Sequence, residues 1–317
     1  MDLINKKRIL LFFSILLAVM AGAYIINVIS TPKTPPLKPA GENNPATYVT
    51  VRDSEGKIIL ETGIPVREKD EYISDTNIHY IIISVSGNQA VARVQENQSS
   101  LNENQDSPPG LLAKSLTAVP AQGFFGGRGR HMVIYHTHSD ECYLPTSGVL
   151  SRPGNGDIYK VGEAFRDALE MGGISTTHSY NKHDPHNINA YMRSRRTAAR
   201  LLKEQPDAVF DVHRDSAPRG AYLTIVNGVE IGRVMIVIGR SNPNMQTNLA
   251  YAKKIKAKAD ELHPGLMRGI FLGNGDYNQD LYPTALLFEV GTENLTQDEA
   301  EKSIRCLADA IIRVPIK

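Results

Sequence analysis

Tryptophan is absent from this chain and cysteine almost so, with two in 317 residues. Without Trp there is no Trp-built stacking platform for sugars, although 13 Tyr leave weaker stacking open. Cys142 and Cys306 are too few for a disulfide framework, so the core holds the fold, helped by at most one bridge. Excess charge is lacking too, since 35 basic residues face 34 acidic ones and the formal net charge is +1. That balance leaves no electrostatic footprint for nucleic acid, and the class is set aside. What is there, 317 residues of which 41% are hydrophobic, suffices for one full-sized domain and something smaller.

Charge is also missing from Ile9 to Pro32, directly after Lys6-Lys7-Arg8. Basic flanks stay inside and ~20 apolar residues span a bilayer, so residues 1–29 read as a cytoplasmic amino terminus and a single-pass membrane anchor. A cleaved signal peptide ending near Ala21-Gly22-Ala23 is the alternative, and either reading puts the rest of the chain outside the cytoplasm. Residues 30–47 carry five prolines among polar residues, a stiff extended linker. Residues 48–94 alternate short β-branched runs with turns such as Asp53-Ser54-Glu55-Gly56 and Gly87-Asn88, which predicts a small β-rich module without chemistry of its own. Residues 95–129, rich in Asn, Gln, Ser and Gly, read as a second linker.

Strand and helix patterns alternate over 130–317. A strand at 132–134 is followed by helices near 159–170 and 189–203, a buried strand at 208–212, and an antiparallel pair of 221–226 with 234–238 around Asn227-Gly228. A Lys-rich helix at 244–262, a strand at 284–290 and a helix at 296–312 with Thr296 and Glu299 as a capping box close the chain. The sum is a three-layer α/β domain, its central sheet mixed and flanked by helices, preceded by the anchor and the β-rich module.

The run V-I-Y-H-T-H-S-D-E-C-Y at 133–143 delivers two histidines and two carboxylates just past an apolar strand. Period-two alternation puts His136 and His138 on one face, and His138 and Glu141 have a spacing that a turn folds onto one cation. Two more strands end in the same chemistry, at His213 and at Glu289, and strands of an open α/β sheet present their carboxyl ends to one crevice. Imidazole and carboxylate donors without a cysteine pair suit a catalytic zinc, which needs three protein ligands. His138, Glu141 and His213 supply that count, and Glu289 is then the general base. His136 is an alternative to His138 as ligand, or else bonds a ligand carboxylate or substrate. Asp140 and Asp215 are expected to orient His ligands or Arg214. His178, His183 and His186 fall in a polar stretch expected to be a solvated loop or a substrate rim. The loop at 273–280 offers Asn278, Gln279 and Asp280 as amide and carboxylate partners for a peptide or acetamido group. Cys142, beside a carboxylate, is expected to be inert.

At I-Y-H-T-H-S-D-E (134–141), D-V-H-R-D (211–215), Y-N-Q-D-L (277–281) and L-F-E-V-G (287–291) the chain resembles the stage II sporulation protein P family of N-acetylmuramoyl-L-alanine amidases. The resemblance implies a membrane-anchored, zinc-dependent amidase domain over 130–317 that acts on septal peptidoglycan between two membranes during engulfment, with the transglycosylase sporulation protein D as partner. It also implies an accompanying cut within the stem peptide. In the wider zinc amidase class the first His follows the first strand, a second His closes a middle strand, and the catalytic Glu sits near the end of a late strand. His138, His213 and Glu289 occupy those places. The class takes its ligand Glu from the start of the first helix, where this chain has Gly154 to Gly156 and Asp157, which leaves Glu141 as the carboxylate. Two other readings stay open: a metal carboxypeptidase or endopeptidase on wall peptides, gripping a terminal carboxylate through Arg214 or Arg219, and a non-catalytic wall-binding scaffold.

Overall fold

Four strands of this protein are buried at every residue, and they decide where its polar side chains can go. The computed structural model describes residues 48–95 and 129–315. Five strands come first: β1 (Val49–Arg52), β2 (Ile58–Thr62), β3 (Glu71–Ser74), β4 (His79–Ser86) and β5 (Gln89–Val94). Then follow β6 (His131–Tyr135), α1 (Ile158–Met171), β7 (Ser175–His178), α2 (Ala190–Leu201) and β8 (Ala208–Asp215). The hairpin β9 (Leu223–Val226) and β10 (Val229–Gly232) leads into β11 (Val234–Gly239), α3 (Met245–Leu262), β12 (Met267–Gly273), β13 (Ala285–Thr292) and α4 (Gln297–Arg313). Eleven strands form one sheet in the order β2-β1-β5-β4-β3-β12-β11-β13-β8-β6-β7. It is mixed: β7, β6, β8 and β13 run parallel, β13 and β11 antiparallel, β11 and β12 parallel, β12 and β3 antiparallel.

Helices cover both faces of the central strands. On β6, Met132 and Ile134 join the large core that includes α1, α3 and α4, while Val133 and Tyr135 join a smaller cluster with Ala198 and Leu201 of α2. Alternate residues of one strand therefore feed opposite layers. β8, β11, β12 and β13 are covered on both sides; β11 is apolar throughout, and the others are apolar apart from Asp211 and His213 to Asp215 on β8, Arg268 on β12, and Glu289 and Thr292 on β13. The first helix spans Ile158–Met171, buries Val161, Phe165 and Leu169, and stops at Gly172 and Gly173, the latter at φ 80°. At α4 the capping box forms: Thr296 Oγ1 accepts from Glu299 N and the Glu299 carboxylate accepts from Thr296 N. Such a cap is worth about 0.5–2 kcal/mol.

The structure departs from expectation in two places. The strands within 48–94 form, but β3 pairs with β12 in the register Ile73↔Ile270, so they extend the main sheet instead of standing apart. Around Asn227-Gly228 the turn is where it was expected, with φ 52° and 79°, yet the partner of 223–226 is Val229–Gly232, and 234–239 enters the central sheet between β12 and β13. Val229–Gly232, four residues directly after the turn, is too short to announce itself as a strand. Among the described residues no helix is long and apolar enough to cross a membrane. The anchor, at 1–29, and the linkers, 30–47 and most of 95–129, lie outside the described residues.

Candidate metal and catalytic centre

β6, β8 and β13 are neighbours and parallel, so their carboxyl ends open together. β6 delivers the segment His136 to Glu141, β8 delivers His213, and β13 delivers Glu289, which stands directly opposite His213 in the register. All are buried, Glu289 at 6% exposure and His213 at 2%.

His138 lies at the centre of the group. Its ring stacks on His186, with centroids 3.7 Å apart and planes 8° from parallel, and meets His213 edge-on at 5.1 Å. Its Nδ1 is buried without a hydrogen-bond partner among the described residues. Burial, with the His186 and His213 rings beside it, holds the His138 imidazole well below its ordinary pKa, in the neutral form that a metal ligand requires. Glu141 bridges two elements: Oε2 accepts from Arg214 N at 3.0 Å, and Oε1 lies 3.5 Å from His213 Nδ1. The other His213 nitrogen, Nε2, is 2.9 Å from Asp211 Oδ1 but out of line for a hydrogen bond. Burial opposes a charge on His213, yet Asp211 and Glu141 together hold its pKa well above the ordinary value. Asp211 is fixed from behind by Thr137, whose N–H and Oγ1 donate to its two oxygens at 2.8 and 2.5 Å.

Glu289 has a buried Oε2 with no hydrogen-bond partner among the described residues. Burial first, and then the negative charges of Asp215 and Glu141, push its carboxyl well above the usual range. A buried carboxyl whose pKa is raised, standing across from His213, has the character of a general base.

A third pair closes the rim. His186 Nδ1 sits 3.0 Å from Asp140 Oδ1, and Ser151 Oγ donates a short hydrogen bond to Asp140 Oδ2. Among the described residues, ligand atoms of His138, Asp140 and His186 all lie within 4.8 Å of one another, a spacing that one cation can satisfy. Arg193 shapes the loop that carries His186, since it donates to the carbonyls of His183 and Pro185 and to Asn187 Oδ1. Gly156 allows the turn at 154–157 to lie against the His136 to Glu141 segment, because a Cβ there would fall 2.5 Å from Glu141 O and 2.6 Å from Asp140 C. Tyr191 of α2 stands beside the rings, edge-on to His138 at 5.7 Å and parallel to His213 at 6.5 Å.

Several expected roles change. His136 does not face a substrate: it is fully buried, with Nδ1 2.7 Å from Val212 O and Nε2 2.7 Å from His178 Nε2. Asn278 and Gln279 turn inward. Asn278 Nδ2 donates to Tyr191 O and Ser194 Oγ, while Gln279 donates to Val237 O at 2.8 Å and accepts from Gly239 N at 2.9 Å. Asp280 is held by both terminal nitrogens of Arg195 at 2.7 and 2.6 Å. Their polar atoms satisfy protein groups and are not offered to a ligand. The Asp215 carboxylate orients no histidine and binds Gly63 N, Ser216 N and Tyr222 OH, while the Asp215 carbonyl accepts from Arg214 Nη1 at 3.4 Å. His186 and Tyr191 join the site, although the polar stretch around His186 suggests a solvated loop and no local pattern singles out Tyr191.

Fold and site together define an α/β protein with a histidine–carboxylate centre at the ends of its central strands. Residues 59–312 match the family model of Stage II sporulation protein P (SpoIIP), and the chain belongs to that family. A curated relative, Stage II sporulation protein P of Bacillus subtilis (strain 168), is 28% identical over 238 residues, which is 69% of this chain and 56% of the relative. The chain thus spans little more than half the length of that relative. Among solved structures, an N-acetylmuramyl-L-alanine amidase of Mycobacterium smegmatis shares 16% identity at a TM-score of 0.38, over 58% of this chain and 94% of that one. An N-acetylmuramoyl-L-alanine amidase of Clostridium difficile 630 shares 15% at 0.37, over 59% and 95%. At scores this low the likeness carries no weight for fold or chemistry.

Proposed function

We propose that this protein is a zinc-dependent peptidoglycan hydrolase of sporulation that cleaves the amide between N-acetylmuramic acid and L-alanine. Membership of the SpoIIP family supports the setting, and one observation carries the chemistry: the buried Glu289 carboxyl, one oxygen free of any hydrogen bond among the described residues, stands across from His213 and within reach of the Glu141 charge. The residues fit a zinc ion, because the donors are imidazole nitrogens and carboxylate oxygens, His138 is held neutral, and its Nδ1 is buried without a partner. His138, Glu141 and His213 would hold it, and the ion would polarise the scissile carbonyl and acidify the attacking water. Glu289 Oε2 takes the proton from that water and hands it to the departing amide nitrogen, which must be protonated before the C–N bond can break. Asp211 places its negative charge 2.9 Å from His213 Nε2, and Thr137 fixes Asp211. Arg214 N–H fixes Glu141.

A second ligand set, His138 with Asp140 and His186, is favoured by their mutual approach within 4.8 Å. We place Glu141 and His213 first because they lie on the side of Glu289, while the His186 side chain is 28% exposed at the rim. The single-pass anchor at 1–29 would hold the centre in the space outside the cytoplasmic membrane, where sporulation protein D would supply trimmed glycan; an added stem-peptide cut would use the same water and base. The full chain, incubated with purified peptidoglycan, is expected to release whole stem peptides by mass spectrometry, to stop with a chelator and to resume with zinc. Release of single amino acids supports the carboxypeptidase reading instead, and no release under any metal supports the scaffold.

A further inference from the structure

The amino-terminal strands and the catalytic strand ends share one buried junction. Asp215 closes β8, two residues after His213, and its carboxylate is gripped from four sides. Oδ1 accepts from Gly63 N at 2.8 Å and Ser216 N at 2.7 Å; Oδ2 accepts from Tyr222 OH at 2.7 Å and faces an Arg268 guanidinium nitrogen at 3.8 Å. Arg268, 5% exposed, lies over the Tyr222 ring at 4.3 Å and donates to Glu61 O at 2.7 Å, while Tyr72 OH donates to Arg268 O at 2.7 Å. Gly63 fits because it has no side chain: a Cβ there would lie 2.6 Å from Ser216 Cβ. Glu61, Gly63 and Tyr72 are separated from these partners by more than 150 residues of chain. The family match, moreover, begins at residue 59, inside β2, so the shared unit includes this junction.

We propose that the amino-terminal strands are a working part of the catalytic centre: the backbone of Glu61 to Gly63 clamps Asp215 and Arg268 behind the His213–Glu289 pair, which makes Asp215 a positioning residue. The proposal rests on the amidase reading above. Asp215 pairs with Thr292 and His213 with Glu289 across an irregular step of the same two strands. Between these pairs the ladder is broken, so the separation of His213 and Glu289 depends on what holds the strand ends. The clamp supplies that hold from outside the ladder. A displacement near 1 Å at reacting groups lowers turnover by about a hundredfold, so a loosened clamp is read in kcat.

The test uses the full chain. Asp215→Asn and Gly63→Ala are expected to lower kcat ten- to a hundredfold, with KM within twofold, and to shift the visible spectrum of the cobalt-loaded protein. Lys256→Met serves as control: Lys256 ties the same strands to α3 through Asp75 O and Asn77 Oδ1, away from the site. It is expected to lower the unfolding temperature and leave kcat and the cobalt spectrum unchanged. If Asp215→Asn and Gly63→Ala keep wild-type kcat and spectrum, or if Lys256→Met loses turnover in step with them, the junction is only structural and the proposal fails. A wild-type chain that binds cobalt but releases no peptide removes the amidase reading and leaves the spectra of the variants to judge the clamp. One that does neither overturns both.

Discussion

β8 and β5 belong to one sheet and obey different rules. β8 is buried at all eight positions, while β5 alternates over Gln89–Val94 between exposed and buried until its last residues. A strand with one face to solvent can carry polar side chains along its whole length, as β5 does with Gln89 and Arg93. A strand covered on both faces can hold a polar side chain only at its ends or where a buried partner meets it, as Thr137 meets Asp211 within β8. His213, Arg214 and Asp215 are packed into the last three places of β8, and the His136 to Glu141 segment follows β6 directly. The amino-terminal half of the sheet has no such collecting point. The central strands therefore gather most of their buried histidines and carboxylates at one crevice, where the carboxyl ends of β6, β8 and β13 meet.

If that contrast is sound, substitutions at the crevice act on metal and turnover, and comparable ones among the first five strands act on stability alone. The largest effect is expected from His138→Ala, which removes the ligand common to both candidate sets: zinc affinity should fall more than a hundredfold and hydrolysis should vanish. His213→Ala should follow it, whereas His186→Ala should weaken zinc by roughly tenfold, the size typical of a group that orients a ligand. Zinc at full occupancy in His213→Ala by elemental analysis, with loss in His186→Ala, transfers the ligand role to the Asp140–His186 pair.

Next comes Glu289→Gln, which keeps the shape of the side chain and removes its basicity. Turnover should drop by roughly 10²–10⁴, the usual contribution of a positioned base, while zinc stays bound. A variant that keeps a tenth or more of wild-type kcat would mean that the base is elsewhere, with Asp140 the nearest remaining carboxylate on the rim.

Much of this contrast is legible in the residues themselves. The buried strand Ala208 to Val212 runs into His213, and the capping box at Thr296 and Glu299 marks the start of α4 to within a residue. His138, His213 and Glu289 follow from strand ends plus donor chemistry, and the strands deliver them to one place. The rest depends on information that no local window contains. Asn278 and Gln279 look like substrate groups because an amide serves a ligand and a buried backbone equally well; only the fold shows Gln279 spent on Val237 and Gly239. His186 hides in a polar stretch, and it enters the site because Arg193 folds the loop back through three acceptors. The β3–β12 pairing is a match of two edges nearly 200 residues apart. Edge complementarity is a property of the assembled sheet, so 48–94 reads as a separate unit from sequence.

Asp70 offers the smallest effect and the cleanest check on the other side of the contrast. It is a fully buried carboxylate just before β3, and burial pushes its carboxyl from 3.8 up to about 6, against the pull of Arg67 and Arg240. The native state therefore binds the Asp70 proton more tightly than the unfolded chain does. Its contribution to stability is fully present below about pH 4 and is lost as pH rises through about 6. Asp70→Asn cannot ionise, and its amide oxygen still accepts from Arg67 N, the bond the carboxylate makes at 2.8 Å. The unfolding temperature of the variant, measured against wild type, should rise by a few degrees between about pH 4 and pH 7, with kcat unchanged at every pH. A difference that stays flat across that range would show that Asp70 is solvated in the folded protein. A change in kcat would show instead that the alternating half of the sheet carries chemistry after all, because Asp70 shares no contact with the crevice and can reach it only through the strands between.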